Sequence, residues 1–346
     1  LFTIDEETGM TGANALEPGV LKGDILINMD SETEGELYVG CAGGIDTCGY
    51  FTPKFEDVPA GSKAFQLIVK GLKGGHSGMD IILGRANANK VMNALLLKAT
   101  EKFNARVADI QGGSLRNAIP RESFVTITVP EAKAEELLAY VPEFEAVVKE
   151  QFAAVEPEMS ITVVPAEMPA KVIDKETIAK LIEAVAKYPN GVIAMSKDFE
   201  GTVETSSNLA IVKLVDGQIM TASLQRSLVD ASKDELAAEM RKVLESCGAR
   251  AESTGSYPGW KPNINSIIYN TMKKVYADKY GKTPKTMVIH AGLECGILGS
   301  KYPNWDMVSF GPTLVFPHSP DEALKIDTVP LFWDFLVETL KNVPVK

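Results

Sequence analysis

Apolar positions along the chain change their period twice. Residues 1–4 and 24–30 are short, nearly continuous apolar runs, the form taken by strands buried in a parallel sheet. Residues 1 to about 45 therefore predict strand, loop, helix and strand. From about residue 64 alternating and helical spacings take over. They predict a strand at 64–70, a helix at 86–103, and two alternating strands, the second at 123–129. A helix at 132–152, which Pro142 should break or bend, and a strand at 160–164 complete a βαββαβ order.

A related block follows. A helix at 175–187 precedes two strands, 208–215 and 218–228, around Asp216-Gly217, a strong hairpin turn. Ser232 should cap a helix running through 246, with Glu235 completing a capping box. Strand, strand, helix occurs in both blocks and suggests a duplication, without a residue-level repeat to support it. Beyond about 255 strands and helices alternate again: helix 265–280, strand 285–290, a helix opened by Ala291-Gly292, strand 306–310 and a closing helix at 327–342. The expected fold class is α/β, one domain built from residues 1–45 and 256–346 and interrupted by an inserted α+β domain at 46–255.

Composition narrows the function classes. With 45% hydrophobic and 23% charged residues the chain has the balance of a soluble globular enzyme. Its apolar runs stop well short of a bilayer span, and no signal peptide is visible. The net charge of -11 and the absence of clustered Lys and Arg argue against nucleic acid as a partner. Cys41, Cys48, Cys247 and Cys295 lack metal or disulfide spacing and read as reduced thiols of a cytoplasmic protein. An apolar run at residue 1, with neither Met nor a polar lead-in, suggests a chain that was cut.

Several residues have the types and settings that chemistry needs. Glu6 and Glu7 follow an apolar run, where α/β folds place ligands at the carboxyl edge of the sheet. Adjacent carboxylates point apart, so one can bind a metal while the other faces a water; the alternative is a solvated acidic turn. Asp30 ends a second buried run and is either a ligand or a turn cap, and alone it favours the cap. His318 stands between Pro317 and Pro320 in a stiff loop suited to a metal ligand, or is a histidine bonded to a backbone carbonyl. His76 lies in Gly74-Gly75-His76-Ser77-Gly78, where glycines allow close approach to a ligand. Met79 in place of glycine rules out a serine nucleophile elbow at Ser77. Tyr276 likewise rules out a phosphate loop before Gly281-Lys282-Thr283.

Taken together, these segments resemble the aminoacyl-histidine dipeptidases of the co-catalytic zinc aminoacylase/carboxypeptidase superfamily. The resemblance rests on Asp5-Glu-Glu-Thr-Gly9, Ile27-Asn-Met-Asp-Ser-Glu32, Gly40-Cys-Ala-Gly-Gly-Ile45 and Gly71-Leu-Lys-Gly-Gly-His-Ser-Gly78. It continues in Gly112-Gly-Ser-Leu-Arg-Asn-Ala-Ile-Pro-Arg121, Tyr257-Pro-Gly-Trp260, His290-Ala-Gly-Leu-Glu-Cys-Gly296 and Pro317-His-Ser-Pro-Asp-Glu322. It spans the chain and is specific as a set.

The resemblance implies a three-layer zinc-peptidase catalytic domain with an inserted lid, and metal-dependent hydrolysis of dipeptides with a free carboxylate, including Xaa-His dipeptides. Two zinc ions per site are implied as cofactors. By the same resemblance Glu6 is the general base, Glu7, Asp30 and His318 are metal ligands, and His76 polarises the scissile carbonyl. Asn117, Arg226 and the backbone at Gly292 hold the substrate. The partners implied are a dipeptide and, in the assembly, a second copy of the chain. The family pattern also has an upstream His-x-Asp pair and an upstream bridging Asp, and Leu1 begins after them, so the expectation is an N-terminally truncated chain, inactive alone. The competing readings are a superfamily deacylase or tripeptidase, and a non-catalytic binding protein of the same fold.

Overall fold

The computed structural model describes residues 1–6, 10–315 and 321–344. Helix α1 (Thr11–Ala15) precedes strands β1 (Ile25–Asn28), β2 (Glu36–Cys41) and β3 (Gly43–Phe51). Next come β4 (Ser62–Lys70), α2 (Ala88–Phe103), β5 (Arg106–Gly112), β6 (Ser123–Pro130), α3 (Glu131–Phe152) and β7 (Ser160–Pro165). They are followed by α4 (Lys175–Lys187), β8 (Gly191–Met195), β9 (Val203–Val215), β10 (Gln218–Ser227), α5 (Asp230–Ser246) and β11 (Arg250–Tyr257). The order closes with α6 (Ile267–Tyr280), β12 (Lys285–Ile289), α7 (Glu294–Lys301), β13 (Asp306–Ser309) and α8 (Thr328–Asn342).

Two sheets organise these elements, which makes the fold mixed α/β. A four-stranded sheet has the order β1-β13-β2-β12, with β1 parallel to β13 and β2 parallel to β12. A nine-stranded sheet runs β7-β4-β6-β5-β9-β10-β3-β11, with β8 added on β9. The larger sheet has two halves, which meet where Val212 and Lys213 of β9 pair with Gly112 and Gln111 of β5. The main core lies under this sheet, where Leu95, Ile127, Leu137, Leu181 and Met240 are buried together. A second core, with Leu37, Met272, Tyr276, Val308 and Phe335, lies between the smaller sheet and helices α6 and α8.

Local chemistry explains most boundaries. The Asn87 side chain accepts from the N–H groups of Asn89 and Lys90 and so caps α2, which ends at Asn104 in the left-handed region. Asp174 caps α4 in the same way through Thr177. At the other end of α4, Lys90 Nζ donates to the carbonyls of Val185 (2.7 Å), Ala186 (3.2 Å) and Tyr188 (2.9 Å). Asp216 and Gly217 both have positive φ, as the tight hairpin between β9 and β10 requires.

Some expectations are corrected. Residues 1–4 form no strand, and Phe2 is 98% exposed, because no described segment offers them a ladder of hydrogen bonds. Helix α5 starts at Asp230, so Ser232 lies inside it and is not its cap; the turn into the helix is held by Val229 N–H donating to Ser227 Oγ. Helix α3 runs through Pro142 without interruption. Gly292 lies outside α7, which begins at Glu294 after Leu293. The second half of the large sheet also takes in β3 from far upstream, so residues 175–246 are not a self-contained repeat.

The chain crosses between the sheets twice. Strand β2 leads into β3 through Ala42 alone, and β11 returns through Pro258 and Gly259 to Trp260. Cys41 and Trp260 pair across these crossings, each N–H donating to the other's carbonyl at 2.9 Å.

Candidate active site

The glycine-flanked loop after β4 fixes the His76 ring. Gly74 and Gly75 have positive φ, which turns the chain so that residues 75–76 pair with 118–119. His76 Nδ1 accepts from the N–H groups of Gly78 (3.2 Å) and Met79 (3.0 Å), while the His76 N–H donates to Asp80 Oδ2 at 2.8 Å. A nitrogen that accepts twice carries no hydrogen, so the neutral ring has its hydrogen on Nε2. Asn117 helps to hold the loop through its backbone carbonyl, which accepts from Ser77 N–H at 2.8 Å. The Asn117 side chain is exposed.

Arg226 reaches the same place from β10. Its register, opposite Gly44 on one side and Ser206 on the other, sets it in the middle of the sheet. It is 4% exposed, and Nη2 lies 3.5 Å from His76 Nε2. Nη1 donates to the Tyr257 hydroxyl at 2.6 Å, and among the described residues the buried Nε has no partner. Burial pushes the guanidinium pKa down, and Tyr257 partly offsets this. Among the described residues no carboxylate is hydrogen-bonded to Arg226: nearby Asp46 accepts instead from Arg116 at 2.7 Å. A buried Arg without an anion is costly unless one arrives.

His290, just beyond β12, closes the group. Its Nε2 lies 2.7 Å from Ser206 Oγ. Burial first, then the positive charge of Arg226, push its pKa down to about 3, so the ring is neutral near pH 7. The His76 loop is seated on this residue: a Cβ on Gly78 would collide with the His290 carbonyl oxygen. Gly292 follows, and a Cβ there would come 3.1 Å from Tyr257 Cε2. Thus His76, Arg226 and Gly292 converge with Tyr257, His290 and Ser206, three residues that sequence reasoning passed over. Tyr257 and His290 stand in motifs quoted above, and His290 is one of three histidines in the chain. Ser206 had no signal.

The residues expected to hold metal lie apart from this cluster in the sequence. Glu7 and His318 lie outside the described residues. Asp30 is exposed, just past the carboxyl end of β1, and its N–H donates to Asn28 Oδ1 at 3.1 Å. Glu6 is half-buried, and its carbonyl accepts from Met10 N–H at 3.2 Å. Met10 in turn packs with Ile297 and Leu298 of α7. Among the described residues no three His, Cys, Asp or Glu side chains form a metal cluster. The local chemistry nevertheless suits a cation. Burial raises the pKa of the Cys295 thiol in the first turn of α7, and the charges of Cys41, Glu294 and Asp30 raise it further. Glu294 Oε1 is buried without a hydrogen-bond partner among the described residues. The strand pair of residues 314–315 and 323–324, which flanks position 318, is tied to the same edge by Leu314 N–H donating to Glu32 O at 3.0 Å.

Residues 67–156 match the peptidase dimerisation domain. The whole chain is 43% identical to the cytosol non-specific dipeptidase of Escherichia coli (strain K12), spanning 71% of that protein. The crystal structure of aminoacylhistidine dipeptidase from Vibrio alginolyticus superposes with a TM-score of 0.93 at 46% identity, over 99% of this chain and 70% of that one. The chain belongs to the cytosol non-specific dipeptidase family. Among the described residues no helix is long and apolar enough to cross a membrane.

Proposed function

We propose that the protein is a cytoplasmic, dinuclear zinc dipeptidase that hydrolyses dipeptides with a free C-terminal carboxylate, Xaa-His dipeptides included. One observation carries the reading: Arg226, buried and with no carboxylate hydrogen-bonded to it among the described residues, has Nη2 3.5 Å from His76 Nε2, and with His76 Nδ1 accepting twice both facing atoms are donors. A carboxylate or a developing oxyanion is the group such a pair can hold. The relatives, named for dipeptide hydrolysis, supply the reaction class.

In this reading residues 1–45 and 256–346 form the catalytic domain and 46–255 the lid, and the peptidase dimerisation domain supports a homodimer. Glu7, Asp30 and His318 would contribute to holding the metal. Zinc, when bound, supplies a water of lowered pKa and polarises the scissile carbonyl. Glu6 takes the proton from the attacking water on its carboxylate and delivers it to the leaving amine. Arg226 forks onto the substrate carboxylate, and Asn117 and the Gly292 backbone orient the peptide. His76 Nε2–H donates to the oxygen that gains charge.

The test is a comparison in the native holoenzyme of a dipeptide with its C-terminal amide. The dipeptide should be preferred by about 10²-fold or more, as expected when a buried guanidinium is left without its anion. Chelation should remove the activity and added zinc restore it. Equal turnover of acid and amide would remove the carboxylate from the reading.

A further inference from the structure

Tyr257 occupies a place that the functional reading above leaves unused. It is the last residue of β11, where the chain leaves the large sheet for Trp260. Its backbone is pinned there: Lys233 Nζ, 3% exposed as a residue, donates to Tyr257 O at 3.1 Å and to Asp230 Oδ1 at 3.1 Å. Asp230 Oδ1 also accepts from Gly259 N–H at 3.0 Å. The phenol is pinned as well. A Cβ on Gly44 would collide with its hydroxyl, Cζ and Cε1, so one edge of the ring packs against bare backbone of β3. Its other edge faces Gly292, beyond β12 of the smaller sheet.

Arg226, by contrast, has a long side chain with few anchors. Among the described residues Nε has no partner, and the neighbour of Nη2, His76 Nε2–H, is itself a donor. The 2.6 Å bond from Nη1 to the Tyr257 hydroxyl is therefore its strong restraint. A guanidinium recognises a carboxylate through a planar fork, so a rotation about its terminal torsions loses one of the two bonds.

We infer that Tyr257 is a positioning residue: its hydroxyl sets the plane of the Arg226 guanidinium and registers it against the Gly292 backbone across the junction of the two sheets. The inference rests on the proposed role of Arg226 in holding the substrate carboxylate. Tyr257 acts on recognition, not on the breaking bond, so its removal shows in KM and not in kcat.

The experiment uses the native holoenzyme with Tyr257→Phe, which removes one oxygen and keeps the ring. KM for a dipeptide should rise about tenfold with kcat within a few-fold of wild type, the usual effect of losing one hydrogen bond to a charged group. The preference for the dipeptide over its C-terminal amide should fall by a similar factor. Arg226→Lys with Tyr257→Phe should be no worse than Arg226→Lys alone, because the second change has nothing left to misalign. Gly44→Ala is an independent probe, since it displaces the hydroxyl without deleting it and should raise KM in the same direction. A folded Tyr257→Phe enzyme with wild-type KM and preference would overturn the inference, as would fully multiplicative effects in the double variant. A wild-type enzyme that does not distinguish acid from amide would overturn the role of Arg226 and this inference together. A wild-type preference that survives in Tyr257→Phe would overturn this inference alone.

Discussion

Arg226 Nη2 and His76 Nε2 lie 3.5 Å apart, and with His76 Nδ1 accepting from two backbone N–H groups, neither of the facing atoms can accept from the other. Two side chains whose positions differ by 150 in sequence thus offer hydrogens to one small space. Arg226→Lys keeps the charge and loses the fork. We expect KM for dipeptides to rise by about 10- to 100-fold, with a smaller change in kcat. Steady-state kinetics on several dipeptides checks this. A uniform loss of kcat with normal KM would place Arg226 at the reacting bond instead.

His76→Ala should lower kcat and kcat/KM together by about 10²–10³-fold while metal content and KM stay near wild type, the effect of losing one oxyanion donor. If His76 merely packs in its glycine loop, thermal stability will fall and kcat will stay within a few-fold.

Gly78→Ala tests the seat of that loop. The added methyl collides with a backbone oxygen, that of His290, which cannot swing aside as a flexible side chain would. The loop must lift, and with it His76. Displacement by about an ångström at a catalytic group can cost about 10²-fold. The expected loss is in kcat, with circular dichroism unchanged. Normal kcat in Gly78→Ala would show that the seat does not matter for His76.

His290 gives a pH signature in stability. Its folded pKa, about 3, lies below the ordinary value of 6.5, so the unfolded chain binds the proton more readily. The contribution to stability is complete above pH 6.5 and is lost as pH falls from 6.5 toward 3. Down to pH 4 the loss should be on the order of 2–3 kcal/mol. His290→Gln, which keeps an amide near Ser206 and cannot titrate, should flatten the dependence of the urea midpoint on pH across this window. An unchanged slope would mean that other groups carry the acid sensitivity.

Lys90→Met tests the fold rather than the site. Its ammonium serves three carbonyls at the end of α4. Methionine matches the stem but leaves those acceptors unpaired, at about 1–3 kcal/mol. Chemical denaturation should show the loss, and dipeptide KM should not move.

How much of this was legible in the sequence depends on how local the cause was. Helices α2 and α4 were legible because their apolar spacing lies within one segment, whereas their caps, Asn87 and Asp174, carried no signal that was read. The turn at Asp216-Gly217 was legible too. The apolar run at residues 1–4 misled, because a strand needs a partner and a run of side chains does not say whether one is present. Ser232 misled because Asp230 and Ser227 organise the turn two residues earlier than a capping pattern suggests. Arg226, His76 and Gly292 were named through the resemblance, but nothing in their spacing said that they meet. That follows from register: Arg226 lies opposite Gly44 and Ser206, and Ser206 meets His290. Tyr257 and His290 were invisible as functional groups for the same reason.

The paired backbone of Cys41 and Trp260 has a mechanical meaning. A single strand passing between two bodies is a swivel and lets each spin freely about the link. Here two strands pass side by side and are stitched together, so the link is a flat ribbon. A ribbon folds easily about one axis in its own plane and resists both twist and sideways slip. A flap about that axis leaves the pairing of Cys41 and Trp260 intact, whereas a twist would break it. The amides of Cys41 and Trp260 should exchange with solvent as slowly as those of the sheet interiors, because the flap does not break the stitch.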